Sequence, residues 1–545
     1  MPTGWECFQG FSKKEVPRAD PGGVEADGPE SPMFAFIRNL GFAGEVVAFL
    51  ASFLISFGVI VMLRRFWKWR RGLDCGDGVR KLQSQPVLRV GGVALYASFT
   101  LAFLFASDPG DGGVSVLGWP FFLLGTTMFL LGFTDDLFRL PALLRLTVQV
   151  AVGVAAYSVG LRIDVLTHPL GGDALDTGGF GLVLTVLWFV SIPNLINLVD
   201  GMDGLAGGIA LFLSLTLATL GAVSGHAELF TLSIAMSGGI VAFLAFNLPP
   251  ARIYMGDGGA YLLGFTIAGA SLISSNKGSI FGSLLVVVIV LGFPILDTAL
   301  AMFRRGVSGL PLMRADANHL HHRLQTLGFS KRNILFVLYG IFAGLSLLGL
   351  SVFLSAGYTL PIVGMIVTIG IIQGFRFLGL PHNLTEVRES LRDMVAARKD
   401  VRYAYAMAQV LEHDLDRVAS DTNFWASLRG FLARLGIEPG VEGFSDSGEE
   451  ARKIVVFRLD DQTFWVIRCP RPEGASRRWE RVARCFIPVI IGAKSRWGHP
   501  LPKDLGFFEA SGDADAGRIE AMLRARSEAS AAARMAGSIV GPMGV

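Results

Sequence analysis

Long apolar runs recur along this chain of 545 residues, from about residue 41 to about residue 378. An α-helix needs roughly 20 mostly apolar residues to cross the hydrocarbon core of a bilayer. About eleven such runs are present, centred near residues 52, 98, 125, 152, 187, 213, 237, 267, 288, 344 and 367. Charged residues make up only 17% of the chain, against about a quarter in soluble domains. The sequence therefore predicts an all-α polytopic membrane protein with about eleven transmembrane helices.

The basic residues predict how these helices are oriented. Lys and Arg are dense in the first connection, "RRFWKWRRGLDCGDGVRKLQSQPVLR", and in the connection from Phe303 to Arg332. The connections "SDPGDGGVS" and "SGHAE" contain neither residue. Because cytoplasmic loops carry an excess of Lys and Arg, the odd-numbered connections are expected to be cytoplasmic. An odd number of spans then places the N-terminus outside and the chain after about Pro381 inside.

Four polar segments follow apolar runs three, five, seven and nine. They are Gly132–Leu140 ("GFTDDLFRL"), Asn194–Gly204 ("NLINLVDGMDG"), Asn247–Gly259 ("NLPPARIYMGDGG") and Arg314–Leu324 ("RADANHLHHRL"). All four fall on the side that the basic connections identify as cytoplasmic. Ionisable groups at membrane depth are costly and usually functional. The shared side predicts one active surface at the cytoplasmic ends of the helices.

Five aspartates in these segments stand at the ends of predicted helices: Asp135, Asp136, Asp200, Asp203 and Asp257. Gathered in one site, like charges disfavour ionisation, and a bound divalent cation would offset their repulsion. An all-oxygen ligand set favours Mg²⁺, or Mn²⁺ in its place, over zinc. Mg²⁺ commonly takes one or two carboxylates together with substrate phosphates. The substrate is therefore expected to carry phosphate.

Each motif also has a structural alternative that the sequence leaves open. Asp203 and Asp257 each precede a predicted helix and could cap it, and the Asp135–Asp136 pair could be solvated in a loop. The histidines within residues 319–322 could form a solvated turn or a structural zinc site, although no Cys or further His completes a ligand set. Intramembrane acids and helices broken by Gly also mark ion- or proton-coupled transporters. A transporter is therefore the alternative function.

The motifs "GFTDDLFRL", "NLINLVDGMDGLAGG", "NLPPARIYMGDGGAYLLGF", "FPILDT" and "DANHLHHRL" occur in this order. Together they resemble the polyprenyl-phosphate N-acetylhexosamine-1-phosphate transferases, which belong to glycosyltransferase family 4. The resemblance covers about residues 42–380. It implies transfer of a sugar 1-phosphate, expected to be N-acetylhexosamine 1-phosphate, from a UDP-sugar to undecaprenyl phosphate, with Mg²⁺ and release of UMP. The histidine pattern and "RVGG" (Arg89–Gly92) resemble the branch that starts O-antigen-like polysaccharides of the cell envelope.

The resemblance also implies a role for particular residues. The residues with implied catalytic roles are Asp135, Asp136, Asp200 and Asp203, the first two at the lipid phosphate. Asp257, with Asp135, is the expected metal ligand. The expected substrate-binding residues are Asn194, Asn197, Asn247, Arg145, Arg304 (or its neighbour Arg305), His319, His321 and His322. Arg145 stands where relatives often carry Lys, which keeps the charge but changes the geometry of the donor.

The rest of the chain has a different character. Residues 1–41 are predicted to be a disordered extracytoplasmic tail, and residues 42–380 form the transferase domain. Helical periodicity in Leu384–Asp400 and Asn423–Gly436 and two strand-like runs around "DDQ" (Asp460–Gln462) predict a small cytoplasmic α/β domain at residues 381–517. Residues 518–545 form an Ala-rich tail. The predicted location is the bacterial inner membrane, with the bilayer as partner, a homodimer compatible with the sequence, and no nucleic acid.

Overall fold

The computed structural model describes the larger part of the chain. The described residues are 42–69, 89–106, 118–166, 175–273, 280–310, 324, 329–355, 357–377, 384–417, 421–439, 454–459, 463–468, 481–497 and 501–509. The predicted N-terminal tail and the Ala-rich C-terminal tail therefore lie outside the described residues. The same holds for His319, His321 and His322.

Twelve helices make up the described part of the apolar region. They are α1 (Phe42–Trp69), α2 (Gly91–Ala106), α3 (Trp119–Phe138), α4 (Ala142–Ser158), α5 (Phe180–Val199), α6 (Leu205–Ser224), α7 (Ala227–Asn247), α8 (Gly256–Ile273), α9 (Ile280–Val290), α10 (Gly292–Ser308), α11 (Lys331–Leu354) and α12 (Leu360–Phe377). A short antiparallel pair, β1 (Val165–Leu166) and β2 (Leu175–Asp176), lies between α4 and α5.

Seven of these helices are long and apolar enough to cross a membrane: α1, α3, α5, α6, α7, α11 and α12. An eighth span is formed if α9 and α10, which meet at a bend of 61°, are counted together. The predicted helical, polytopic architecture is confirmed. The number of about eleven stays a prediction: α2 and α4 have only 16 and 17 residues, and α8, with 18, is not among the helices that are both long and apolar enough.

Helix α8 is the most enclosed helix of the described bundle. Every residue of α8 except Asp257 is buried, and α8 packs against α2, α3 and α5. Its sequence is rich in Gly and Ala, and small residues let membrane helices approach closely. Phe265 of α8 packs on the rings of Phe121 and Phe189, and all three side chains are fully buried. This central position fixes where the N-terminal turn of α8 lies relative to its neighbours.

The described part after residue 380 contains helices and a sheet. Its helices are α13 (Leu384–Arg417), α14 (Asp421–Arg434) and α15 (Ile487–Trp497), and its strands are β3 (Glu438–Pro439), β4 (Ile454–Arg458), β5 (Thr463–Arg468) and β6 (Phe507–Glu509). Strand β5 pairs antiparallel with each of the other three. These elements enclose a second hydrophobic cluster around Trp465, Phe486 and Leu411. The predicted domain bounds at residues 381 and 517 stay a prediction.

Candidate active site

The C-terminal end of α3 meets the N-terminal end of α8 at a close backbone contact. A Cβ atom added at Gly132 would lie 2.5 Å from the backbone nitrogen of Gly258 and would overlap the carbonyl group of Asp257. Gly256 has a φ of 74°, and a Cβ there would lie 2.5 Å from Oδ2 of Asp136. Only glycine fits both positions without strain or displacement. The two glycines thus bring the acids of α3 to the first turn of α8.

Asp136 binds the start of α8. Its Oδ2 accepts a hydrogen bond of 3.1 Å from the backbone N–H of Gly258. The first N–H groups of a helix have no partner within the helix, and a carboxylate there is favoured by the helix dipole. Arg89 lies near enough to Asp136 to interact with its charge. Asp136 therefore joins α3 to α8 at the site.

Asp135 is buried and makes two close contacts. Its Oδ2 lies 2.6 Å from Nη1 of Arg145 at the start of α4, and its Oδ1 accepts a hydrogen bond of 2.7 Å from the N–H of Leu140. Nη1 of Arg145 also lies 3.7 Å from Oδ2 of Asp257. The side chains of Asp257 and Asp135 are close enough for their charges to interact. Arg145 therefore bridges two carboxylates that would otherwise repel.

Asp257 and Asp135 differ in how open they are to a ligand. The side chain of Asp257 is 31% exposed, whereas that of Asp135 is 7% exposed. The oxygen-only donor set fits Mg²⁺. Within the described ranges, no group of three or more His, Cys, Asp or Glu side chains is arranged to hold a metal ion. A cation here would need further oxygen ligands, and substrate phosphates usually provide them for Mg²⁺.

A second group of contacts fixes the neighbouring loops on the same face. Asn247 accepts a hydrogen bond from the N–H of Gly204 at 2.9 Å and donates one to the carbonyl oxygen of Ile253 at 2.8 Å. Asp203 accepts one from the N–H of Ala251 at 3.1 Å. These bonds tie the turn between α5 and α6 to the loop between α7 and α8. The loop leads directly into Gly256 and Asp257.

Polar side chains also connect α5 with this site. Asn197 lies beside the hydroxyl group of Tyr261, which stands one turn after Asp257 on α8 and is almost fully buried. Asn194 donates to Oε1 of Gln149 at 2.6 Å. Nε2 of Gln149 is buried and has no partner within the described part of the chain. Tyr261 was not predicted as a site residue, although its position four residues after Asp257 on one helix is a signal that the sequence contains.

The structure thus brings together Asp135, Asp136, Asp257 and Arg145. Asn197 lies beside Tyr261, one turn after Asp257 on α8, and Asn194 binds Gln149, one turn after Arg145 on α4. Asp200 lies at the C-cap of α5, and Arg304 and Arg305 lie in the last two turns of α10. The predicted roles of all these residues in catalysis, metal binding or substrate binding stay predictions. So do those of the three histidines.

The capping alternatives are decided by the helix ends. The N-cap of α6 is Gly204, and no side chain caps it, so Asp203 does not cap that helix. Asp257 lies within the first turn of α8, and the N–H of Gly258 is bound by Asp136 instead. The acid pair on α3 is not a solvated loop, because Asp135 is buried in the last turn of the helix.

This arrangement, in which the ends of packed membrane helices gather acids, one arginine and glycine-rich turns, defines a membrane enzyme that handles phosphate groups. Comparison with known proteins agrees. The sequence profile of glycosyl transferase family 4 matches residues 119–275. A Bacillus subtilis protein named "Probable undecaprenyl-phosphate N-acetylglucosaminyl 1-phosphate transferase" is 31% identical over 294 residues, 54% of this chain and 81% of that protein.

Two further relatives have similar names. A decaprenyl-phosphate N-acetylglucosaminephosphotransferase of Mycolicibacterium smegmatis is 30% identical over 364 residues, 62% of this chain and 88% of the relative. An undecaprenyl-phosphate alpha-N-acetylglucosaminyl 1-phosphate transferase of Thermotoga maritima is 32% identical over 298 residues, 55% of this chain and 88% of the relative. The chain belongs to the family of polyprenyl-phosphate N-acetylhexosamine-1-phosphate transferases. The transporter alternative finds no support.

Proposed function

We propose that this membrane transferase moves N-acetylhexosamine 1-phosphate from a UDP-sugar to undecaprenyl phosphate and releases UMP. The observation that carries the proposal is the cluster of Asp135, Asp136 and Asp257 at helix ends, with Arg145 between two of them. The names of the relatives support a polyprenyl phosphate as acceptor and N-acetylglucosamine 1-phosphate as the group transferred. The product would be the first lipid-linked intermediate of an O-antigen-like polysaccharide of the cell envelope.

In the proposed reaction, an oxygen of the lipid phosphate attacks the phosphorus that carries the sugar. A new P–O bond forms to the lipid, and the bond between this phosphorus and the UMP oxygen breaks. A phosphate monoester has a second pKa of about 6 and is largely ionised near neutrality. The protein therefore needs to neutralise charge and align the reactants more than to remove a proton.

The residues of the site have distinct tasks in this proposal. Asp257, which is more exposed than Asp135, would hold the metal together with Asp135. Mg²⁺, when bound, would stabilise the charge that develops on the departing UMP. Arg145 keeps the two carboxylates at a fixed separation and offsets their repulsion. Asp136 binds the N-terminal turn of α8 and so positions Asp257.

The proposed location is the bacterial inner membrane, with the active face and the part after residue 380 in the cytoplasm. The asymmetric distribution of Lys and Arg supports this orientation, as does the cytoplasmic origin expected for a UDP-sugar. A homodimer stays an expectation from the sequence.

The test is UMP release by purified protein supplied with undecaprenyl phosphate, Mg²⁺ and each of a panel of UDP-sugars. We expect release with a UDP-N-acetylhexosamine and a loss of at least about 100-fold in Asp257→Asn, since removing one group that stabilises transition-state charge typically costs this much. The matched control is Asp176→Asn, on the short strand β2 between α4 and α5. No UMP with any sugar, or equal rates in the two variants, would refute the proposal.

A further inference from the structure

The first five turns of α13 have two different faces. Ala397, Val401 and Ala404 are buried in the hydrophobic cluster of the part after residue 380. On the opposite side lie four basic residues and one aliphatic residue, all exposed: Arg388, Arg392, Val395, Lys399 and Arg402. At 100° per residue these five occupy only about 80° of the helix circumference. We call them the basic face of α13.

Negative charge is absent from this face in the described part of α13. Three acids of the same turns, Glu389, Asp393 and Asp400, project about 100–140° away from the direction of Arg388. A shallow depression on this part of the helix is lined by Arg388, Arg392, Leu391, Val395 and Ala396. Positive charge therefore flanks an apolar strip. A helix of this kind is suited to an anionic surface with hydrocarbon beneath it.

Two connections hold the basic face close to the membrane helices. Only six residues separate the end of α12 at Phe377 from Leu384, so the start of α13 lies within about 25 Å of the end of a span. Further along, the side chains of Arg398 and Arg402 lie over Gly309, the C-cap of α10. The helix between Leu384 and Arg402 is about 27 Å long. Because both of its ends are bound to helices of the membrane region, it cannot leave the vicinity of the bilayer.

Arg402 belongs to the basic face and contacts Gly309 at the end of α10. This side of the face therefore lies next to the membrane helices. Helix α12, which leads into α13, exposes Ile362, Ile369 and Phe377 around its surface. Only 6% of its apolar stretch Leu360–Phe377 is buried by the rest of the chain, so we expect lipid to surround this helix. The helix that carries the basic face therefore follows, after six intervening residues, a helix whose surface meets lipid.

We propose that the basic face of α13 binds the anionic phospholipid headgroups of the bilayer surface. The four cations meet the phosphates, and Val395 with the carbon stems of the basic side chains lies against the upper acyl region. This contact holds the part of the chain after residue 380 against the membrane. This contact is independent of the transfer reaction, and the experiment below does not measure that reaction.

The test is photocrosslinking of the full chain in lipid nanodiscs, with Val395 replaced by the photoreactive residue p-benzoylphenylalanine. One set of nanodiscs contains phosphatidylcholine alone, and the other also contains phosphatidylglycerol. A single Lys or Arg near an anionic surface changes partitioning by about fivefold. We expect at least about fivefold more lipid adduct, measured by mass spectrometry, in the anionic nanodiscs. The excess should fall at about 0.5 M NaCl, where charges are screened within about 4–5 Å.

Charge variants then test which residues are responsible. Arg392→Glu with Lys399→Glu should reduce the adduct in anionic nanodiscs by at least about fivefold. The matched control is Arg434→Glu with Arg496→Glu, which reverses two exposed charges on α14 and α15 and should leave the yield unchanged. Size-exclusion chromatography and the thermal unfolding temperature show whether each variant is folded. The comparison between the two kinds of nanodisc uses the protein without charge reversals, so its result does not depend on whether those variants fold.

Three results would overturn the proposal. Equal adduct in both kinds of nanodisc would mean that the face does not recognise anionic headgroups. Equal loss in the two charge-reversed variants would mean that the basic face is not the responsible surface. Crosslinking in native membranes chiefly to a polypeptide, including a second copy of this chain, would assign the face to a protein partner.

Discussion

Replacing Gly132 by Ala tests whether the close approach of α3 and α8 creates the site. The added Cβ would lie 2.5 Å from the nitrogen of Gly258, whereas ordinary contacts begin at 3.4 Å. The two backbones must therefore separate by about 1 Å, because the atoms in conflict belong to the backbone and cannot rotate away. Overpacking of this kind typically costs about 1–3 kcal/mol of folding free energy.

The same displacement moves the first turn of α8 away from the acids of α3. Asp257 would then lie about 1 Å farther from Asp135 and Arg145, and the hydrogen bond from Gly258 to Asp136 would be stretched. Misplacement by about 1 Å can cost about 100-fold in rate. We therefore expect Gly132→Ala to lower the rate of UMP release by about 100-fold and to lower the unfolding temperature.

The matched control is Gly58→Ala in α1, where an added Cβ meets no atom within 4 Å. That variant should keep both the rate and the unfolding temperature of the original protein. The two variants are compared at the same detergent and lipid concentrations by UMP release and by thermal unfolding. A Gly132→Ala protein that is folded and transfers at the original rate would refute the claim that this contact positions the carboxylates.

Three further perturbations follow from the same geometry. Arg145→Gln should reduce UMP release by about 100-fold, and Arg145→Lys by less, because an ammonium keeps the positive charge but not the planar donor geometry of the guanidinium; equal rates for the two variants would contradict the role of this charge between the carboxylates. Chelation by EDTA should abolish release, and Mg²⁺ or Mn²⁺ should restore it; activity that persists in EDTA would exclude the proposed metal. Asn247→Ala leaves the N–H of Gly204 and the carbonyl of Ile253 without their partner. The loss should lower the free energy of unfolding by about 1–3 kcal/mol for each buried group. The unfolding temperature should therefore be lower than that of the control Asn333→Ala, at an exposed position.

The sequence predicts the helical, polytopic architecture well because the length needed to cross a bilayer is a local property of the chain. The number of spans is harder to predict. Helices α2 and α4 have 16 and 17 residues, and packing against neighbours decides how such short helices are placed. The alternation in "KIVVFRL" and "TFWVIR" likewise predicts strands, and β4 and β5 pair antiparallel. Helix α13 extends to Arg417, well beyond the predicted end at Asp400.

The partners of individual site residues could not be predicted in the same way. Arg145 was expected to bind substrate, and its guanidinium contacts two carboxylates of the protein itself. Asn247 was expected to bind substrate, and both ends of its amide are bound to backbone groups of neighbouring loops. These contacts depend on where α3, α4 and α8 meet in space. No spacing within one segment carries that information.

The acid pair on α3 shows how contacts that the sequence does not predict affect the mechanism. Asp135 and Asp136 are adjacent in the sequence, which suggests that they act together on one ligand. Successive residues of a helix project about 100° apart, so Asp135 points to Arg145 on α4 while Asp136 points to the first turn of α8. A metal beside Asp257 can take Asp135 only where Arg145 or the N–H of Leu140 gives up its contact with that carboxylate, whereas Asp136 is bound to the backbone of the turn that carries Asp257. The two residues therefore have different roles: Asp136 holds α3 and α8 together, and Asp135 lies beside Asp257 at the reactants. A substitution of Asp136 should chiefly lower the stability of the protein, and a substitution of Asp135 should chiefly lower the rate of transfer.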